Sequence, residues 1–209
     1  MIHVVLCDDH AILRRGIRDT LAEATDIRVT GEAGSYAELR ETLRIAACDV
    51  LLLDINMPGR NGLEILASVR ETAPHIKVLM VSMYPEDQYA LRCLKAGAQG
   101  YANKAGNPIE LVEAVRVVQA GRKYLTPEVA QMLADSLAQP VPEVPHASLS
   151  EREMQTLQKI ASGKRLTDIA EELMLSPKTV SVYRARVLQK LQLTNNAELT
   201  VYAIRNSLV

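Results

Sequence analysis

Asp54 closes an apolar run, Cys48-Asp49-Val50-Leu51-Leu52-Leu53, and the chain turns just after it at Met57-Pro58-Gly59. Asp8 and Asp9 close another apolar run 45 residues earlier, and Lys104 follows 50 residues later. A carboxylate that attacks phosphorus needs a divalent cation to neutralise the phosphoryl oxygens, and Mg²⁺ prefers a few carboxylates plus waters to a closed protein cage. In that chemistry Asp9, with Asp8 beside it, supplies the metal-side charge and Asp54 is the nucleophile. Lys104 pairs with one phosphoryl oxygen, and the Ser82 hydroxyl, placed after Val78-Leu79-Met80-Val81, donates to another. An acidic pair alone is equally well read as the polar end of a strand, and so is Ser82 alone. A third acid and a lysine at two further strand ends shift the reading to a site.

A second group of residues carries a different chemistry. Ser176-Pro177-Lys178-Thr179-Val180 opens a basic amphipathic helix. No acidic residue lies between Glu172 and Glu198, whereas Lys178, Arg184, Arg186 and Lys190 do, which is the local sign that phosphate contact requires. Stretches at 166–174 and 177–191 have the lengths and short connection of a helix-turn-helix, in which the second helix reads the major groove. Val180, Val187 and Leu191 share one face and pack inward, leaving Lys178, Ser181, Val182, Ala185 and Arg186 for the groove. Thr179, Tyr183, Arg184 and Lys190 flank that face and suit backbone phosphates, which give affinity and register without sequence information. A charge run in isolation is more simply a solvated helix face; the paired helices are what favour DNA.

The elements that position these residues follow from hydrophobic period. Short apolar runs at 2–7, 27–30, 49–53, 76–81 and 99–102 alternate with helix-period stretches at 10–24, 35–46, 63–72, 86–96 and 108–121, which predicts a five-stranded parallel sheet wrapped on both faces by helices. Ligand sites in such sheets lie beyond the carboxyl ends of the strands, at the switch point, where Asp8, Asp9, Asp54, Ser82 and Lys104 fall. Residues 123–147 form a linker, Pro-rich at Gln139 to Pro145, with a helix expected at 127–138 from the cap-like Thr126-Pro127-Glu128. Residues 148–209 read as four short helices, at 151–162, 166–174, 177–192 and 196–206. The first opens on a capping box, Ser150-Glu151-Arg152-Glu153, and ends at Gly163.

At 209 residues the chain suits two domains. With 3% aromatic residues and neither Trp nor Phe, its cores must be aliphatic. The net charge of −1 hides an asymmetry: fourteen Lys and Arg against sixteen Asp and Glu over 1–122, one against three over 123–147, and nine against six over 148–209. No run has the roughly 18 apolar residues of a membrane span, and no secretory signal opens the chain, so a cytoplasmic protein without membrane contact is expected. Cys7, Cys48 and Cys93 are odd in number and set among apolar residues, as buried hydrophobes in a reducing compartment would be.

Residues 1–122 resemble the receiver domain of bacterial two-component response regulators. The resemblance rests on Asp8-Asp9-His10, Asp54 through Gly62, Val81-Ser82, Ala96 through Tyr101, and Lys104. It implies that Asp54 is the phosphoacceptor, that the Asn56 carbonyl joins Asp9 on Mg²⁺, and that Ser82 and Tyr101 form a switch pair coupling the phosphoryl charge to a surface face. Many receivers carry a proline where this chain has Ala105, after the lysine. Leu149 to Leu199 resembles the LuxR/FixJ-type DNA-binding domain through Leu149 to Glu153, Ile169-Ala170, Leu175 to Val180, Tyr183-Arg184 and Lys190-Leu191. Leu166 and Met174 stand where the family has Asn and Gly, so the turn before the recognition helix has to be built without that glycine. Together the two halves identify a NarL/FixJ-family regulator.

The fold expected is a flavodoxin-like α/β receiver followed by a small all-α helix-turn-helix domain. The expected function is a transcriptional regulator phosphorylated on Asp54 by a sensor histidine kinase, binding double-stranded promoter DNA as a homodimer, with RNA polymerase as a candidate partner. By the resemblance, the unphosphorylated receiver covers the recognition helix. Two other readings compete. A constitutive DNA-binding protein with a receiver kept for dimerisation is disfavoured by a complete acidic site. An aspartyl-phosphate hydrolase needs a substrate pocket and a second acid-base residue near Asp54, neither of which the sequence offers. Asn56 and Tyr84 are the residues beside the site expected to set the phosphoryl lifetime.

Overall fold

The computed structural model describes residues 1–83, 86–138 and 145–209. Tyr84 and most of the Pro-rich run from Gln139 lie outside them. The chain divides into two compact units, Met1–Gln139 and Pro140–Val209.

The first unit is a parallel sheet of β1 (Ile2–Cys7), β2 (Ile27–Ala33), β3 (Val50–Asp54), β4 (Lys77–Ser82) and β5 (Gly100–Asn103), ordered β2-β1-β3-β4-β5. The chain leaves β1 to one side for β2 and returns to the other for β3, so the carboxyl ends of β1 and β3 flank the switch point. Helices α1 (Ala11–Ala22), α2 (Tyr36–Ile45), α3 (Gly62–Thr72), α4 (Glu86–Ala96) and α5 (Pro108–Gln119) cover the sheet. β3 is buried along its whole length, which is why its sequence is a continuous apolar run rather than an alternation. One core layer includes Val5, Leu51, Leu53, Ile65, Leu66 and Val78; the other includes Val4, Leu6, Leu52, Leu79, Val115 and Val118. Three of these helices begin where a side chain accepts from the first turn: Ser35 from Glu38 N–H, Asn61 from Glu64 N–H and Asn107 from Ile109 N–H.

Two features depart from the sequence expectation. β2 continues three residues past Thr30 to Ala33, in register with Cys7 on β1 after an irregularity between Val4 and Val5. As an edge strand it tolerates Gly31 and Glu32, which break the apolar pattern. The linker helix, α6 (Pro127–Ala138), forms where expected, and it belongs to the first compact unit: it packs on α4 and places Val129 in the sheet's core. The approach is fixed by Tyr124, whose N–H donates to the Gln99 carbonyl at 2.9 Å and which forms a parallel bridge with Gly100 at the edge of β5.

The three cysteines are free. Burial, with the charges of Asp54 and Asp8 behind it, pushes the Cys7 thiol up to about 12, and burial does the same for Cys48. Both behave as hydrophobes.

The second unit holds α7 (Glu151–Ala161), α8 (Leu166–Glu172), α9 (Pro177–Leu191) and α10 (Asn196–Arg205) around a core of Leu157, Ile160, Ile169, Val180, Val187 and Leu199. The Ser150–Glu153 capping box is present, and Ser176 and Asn195 cap α9 and α10. The turn lacking a glycine forms with Met174 itself in the left-handed region, φ +53°, and 68% exposed. Left-handed backbone costs an L-residue roughly 1–2 kcal/mol, partly offset for glycine by its greater unfolded-state entropy. Met174→Gly therefore stabilises this domain by a few tenths to about 1 kcal/mol, read as a higher midpoint in chemical denaturation with an unchanged slope; a lower midpoint would show that the Met174 side chain contributes more by packing than its backbone loses.

Candidate functional site

Asp8 follows the last residue of β1, Asp54 ends β3, and the loop after β5 carries Lys104; parallel register brings all three to one end of the sheet. The Lys104 ammonium lies 2.7 Å from Asp8 Oδ2 and 2.9 Å from Asp54 Oδ2. Asp8 and Asp54 are 3% and 2% exposed, so two carboxylates share one cation almost without water. Burial dominates and Asp8 adds to it, raising the Asp54 carboxyl above its ordinary 3.8; Lys104 and the Asn56 N–H pull the other way without cancelling the rise.

Asp9 and His10 complete the rim. His10 Nδ1 is 2.8 Å from Asp9 Oδ1 and 3.5 Å from Asp8 Oδ1, and the His10 N–H donates to Asp8 Oδ1 at 2.9 Å. Asp8, Asp9, His10 and Asp54 can each direct one ligand atom into a group spanning no more than 4.8 Å. Asp8 Oδ2 is buried and faces the Lys104 ammonium at 2.7 Å. Converging carboxylate oxygens with a net excess of negative charge fit a hard divalent cation.

The remaining expected residues sit at the same end. Asn56 follows in the β3 loop. Ser82 is fully buried at the tip of β4, one residue beyond the position paired with Asp54, and its carbonyl accepts from the Lys104 N–H at 2.8 Å. Tyr101, on β5, is turned inward and 1% exposed. Among the described residues no peptide is cis, Lys104–Ala105 included.

Sequence reasoning passed over two supports of the site. The Arg14 guanidinium donates to the Asp8 carbonyl and to Glu32 Oε2 at 3.0 Å, tying the end of β1 to α1 and β2. Gly62 lies so close to the β3 end that an added Cβ would come within 2.2 Å of the Asp54 carbonyl oxygen. The Gly62 N–H also donates to the Ile55 carbonyl at 2.8 Å, so the backbone after Asp54 closes on α3 only because position 62 has no side chain. Gly62 stood within the recognised motif; its packing role is visible only in three dimensions.

In the second unit, Lys178, Ser181, Val182, Ala185 and Arg186 form one exposed face of α9, with Thr179, Tyr183 and Arg184 partly buried at its flanks. Val182 is 44% exposed on this face, an apolar group of the kind that can meet a thymine methyl. Two of the flanking cations are already engaged. Arg184 Nε donates to Asn196 Oδ1 at 2.5 Å, and the Lys190 ammonium holds Glu153 Oε2 at 2.6 Å and the Ser148 carbonyl at 3.0 Å. Burial raises Glu153 most as a single effect, but Lys190 and the Ser150 N–H outweigh it and leave this carboxyl below its ordinary value.

A doubly wound parallel sheet with this acid–lysine cluster, joined to a four-helix domain with an exposed basic helix, defines a receiver coupled to a helix-turn-helix. Family comparison agrees. Residues 4–116 match the response regulator receiver domain, and residues 147–203 match the bacterial regulatory proteins of the luxR family. The chain belongs to the NarL/FixJ family of response regulators, which are DNA-binding transcriptional regulators. It is 40% identical to the response regulator UvrY of Escherichia coli (strain K12) over 209 residues, covering 100% of this chain and 96% of the relative. It is also 40% identical to the response regulator GacA of Pseudomonas aeruginosa over 210 residues, covering 100% and 98%. Among solved structures it resembles RcsB from Salmonella enterica serovar Typhimurium bound to promoter rprA in the presence of phosphomimetic BeF₃⁻, with a TM-score of 0.65, 26% identity, and coverage of 96% of this chain and 97% of that one.

Two buried carboxylates against one ammonium leave a net negative charge that the fold must tolerate. Because the folded Asp54 binds its proton more tightly than the unfolded one, stability falls as pH rises through the interval above 3.8 and stays reduced at neutral pH. Asp54→Asn leaves a balanced Asp8–Lys104 pair, so in metal-free neutral buffer the variant melts higher by roughly 2–4 °C, about 1 kcal/mol. Calorimetry checks this, and the gap narrows as pH is lowered toward the ordinary carboxylate range. An equal or lower melting temperature at neutral pH would show that Lys104 fully compensates both acids.

Proposed function

We propose that Asp54 accepts a phosphoryl group from a sensor histidine kinase, with Mg²⁺ held by Asp8, Asp9, Asp54 and the Asn56 carbonyl. The observation that carries this reading is the Lys104 ammonium held within hydrogen-bonding distance of both Asp8 and Asp54 in a nearly dry site. When bound, the cation neutralises charge on the phosphoryl oxygens as they approach the carboxylates. Asp54 Oδ attacks phosphorus, and the bond from phosphorus to the donor breaks. Lys104 then exchanges its contact with Asp54 for a phosphoryl oxygen, since the attacked carboxylate has lost its charge. The Ser82 hydroxyl donates to a second oxygen, and Tyr101, on the strand beside it, completes the switch pair.

In this reading residues 1–122 are the receiver, 123–147 the connection containing α6, and 148–209 the DNA-binding domain. The role is regulatory rather than catalytic, and the protein acts in the cytoplasm, where kinase and promoter are both available. No helix among the described residues is long and apolar enough to cross a membrane. Phosphorylation releases or dimerises the C-terminal helix-turn-helix, and a dimer joins two small modules of few base contacts, raising affinity through effective concentration. The promoter-bound RcsB structure supports this assignment by similarity. RNA polymerase is a further partner on the same grounds of family.

The test is enrichment of genomic fragments by full-length protein, with and without a small phosphodonor and Mg²⁺, for wild type and Asp54→Ala. Enrichment confined to phosphodonor-treated wild type is expected. Equal enrichment in every sample would move control away from Asp54.

With the operator in hand, side chains on α9 separate by effect. Arg186→Ala loses roughly 1–3 kcal/mol of operator affinity and relaxes preference at one base position. Arg184→Ala weakens binding to all sequences alike and lowers the salt slope by about one unit. Filter binding or fluorescence anisotropy over a salt series distinguishes the two, and a uniform effect of Arg186→Ala would assign it to phosphate.

A further inference from the structure

We propose that Asn196 is a positioning residue for DNA binding: it holds the Arg184 guanidinium beside the exposed face of α9 without neutralising it, and so presents a full charge to a backbone phosphate. This inference rests on the reading of Arg184 as a phosphate contact and assigns what orients it.

The two engaged cations of α9 are held in opposite ways. Lys190 is bonded to a carboxylate, Glu153 Oε2 at 2.6 Å, and Glu153 is only 2% exposed, so this ammonium is matched to a buried acid. Arg184 Nε donates instead to Asn196 Oδ1 at 2.5 Å, a neutral amide oxygen that fixes its direction and leaves its charge intact. The guanidinium carries four further N–H donors in a rigid fork, a geometry suited to phosphate oxygens.

The nearest acid in sequence is committed elsewhere. Glu198 accepts from the Thr194 N–H at 2.7 Å, from the Thr194 hydroxyl at 2.8 Å and from the Asn195 amide at 3.2 Å. The bond from the Thr194 N–H, with the other two behind it, holds this carboxyl below its ordinary value and keeps it on the turn before α10. Asn195 in turn caps α10 by accepting from the Glu198 N–H at 3.0 Å, so the Asn196 side chain is not needed to start the helix.

The place of Arg184 on its own helix explains the need for a partner. It lies one turn after Val180 and one turn before Val187, both fully buried, so its stem runs along the edge of the inward stripe and its head reaches the surface. An unheld head samples several rotamers, and a phosphate contact would have to freeze them; the bond to Asn196 removes part of that cost before DNA arrives. The ordinary alternative is a brace between α9 and α10 with no part in DNA binding.

The experiment measures binding of full-length wild type, Asn196→Ala, Arg184→Ala and the double variant to a short mixed-sequence DNA duplex, by fluorescence anisotropy over a salt series, with a melting temperature for each. Mixed sequence suffices because a phosphate contact carries no sequence information. Arg184→Ala should lose about tenfold in affinity at about 0.1 M salt and flatten the salt slope by about one unit. Asn196→Ala should lose about threefold or more and flatten the slope by at least about half as much. The double variant should bind within about twofold of Arg184→Ala alone, since the two residues act as one unit. Asn195→Ala, which removes the cap of α10, should lower the melting temperature and keep the wild-type slope; a slope flattened there as well would show that fraying of α10 is sufficient and would overturn the proposal. An unchanged slope for Asn196→Ala, or a loss that multiplies with that of Arg184→Ala, would make the bond a brace and overturn it too. If Arg184→Ala itself keeps the wild-type slope, the phosphate reading fails and the role of Asn196 fails with it.

Discussion

Three charges meet at the end of the sheet with almost no water between them: Asp8, Asp54 and the ammonium of Lys104. Much of the first unit can be understood as what is needed to hold them there. A carboxylate in a site this dry is costly unless it is paired and hydrogen-bonded. Lys104 is therefore delivered by the backbone, its N–H bonded to the Ser82 carbonyl, and Asp8 is held through its carbonyl by Arg14. Asp54 is fixed by a strand buried along its length and by a following loop that closes on Gly62. The arrangement remains one positive charge short. That deficit makes the site receptive both to a divalent cation and to chemistry that removes the charge of Asp54.

The second unit solves a different problem, presenting a polar helix face without losing its small core. Caps do much of that work. Ser150, Ser176 and Asn195 satisfy the first-turn N–H groups of α7, α9 and α10. The Glu153–Lys190 pair then ties α7 to the last turn of α9, so a residue of the basic run also fixes the angle at which the exposed face is held. One cation of the basic run thus serves the rigidity of the helix that carries the exposed face.

The order of elements was legible because strands buried on both faces leave continuous apolar runs, and because caps, Pro at a first turn and Gly after a last turn mark helix ends. β3, α3, α4 and α6 fall within a residue or so of expectation for that reason. β2 was read short because an edge strand need not be apolar. The acids and the lysine were legible as a site from their places at strand ends, but Arg14 was not, since a lone arginine on a helix carries no mark of the carbonyl it will meet. Helical period separated Lys178 and Arg186, on the outward face, from Arg184 and Lys190 at its flanks, but the partners of the flanking pair, Asn196 and Glu153, come from other helices and show only once the helices pack.

The packing of α6 changes what the linker can do. Had it been a passive tether, Val129 would be exposed; instead it lies in the same core layer as Tyr101, and α6 rests on α4. Tyr124 bridges to Gly100, the residue before Tyr101, and Lys104 follows three residues beyond that tyrosine on the same stretch of chain. One strand and the loop that leaves it therefore carry the inward aromatic ring, the anchor of the connecting helix and the lysine of the acidic cluster. The seat of α6 on α4 is thus part of the receiver's core layer, held by the same stretch of backbone that positions Tyr101, and not a passive tether.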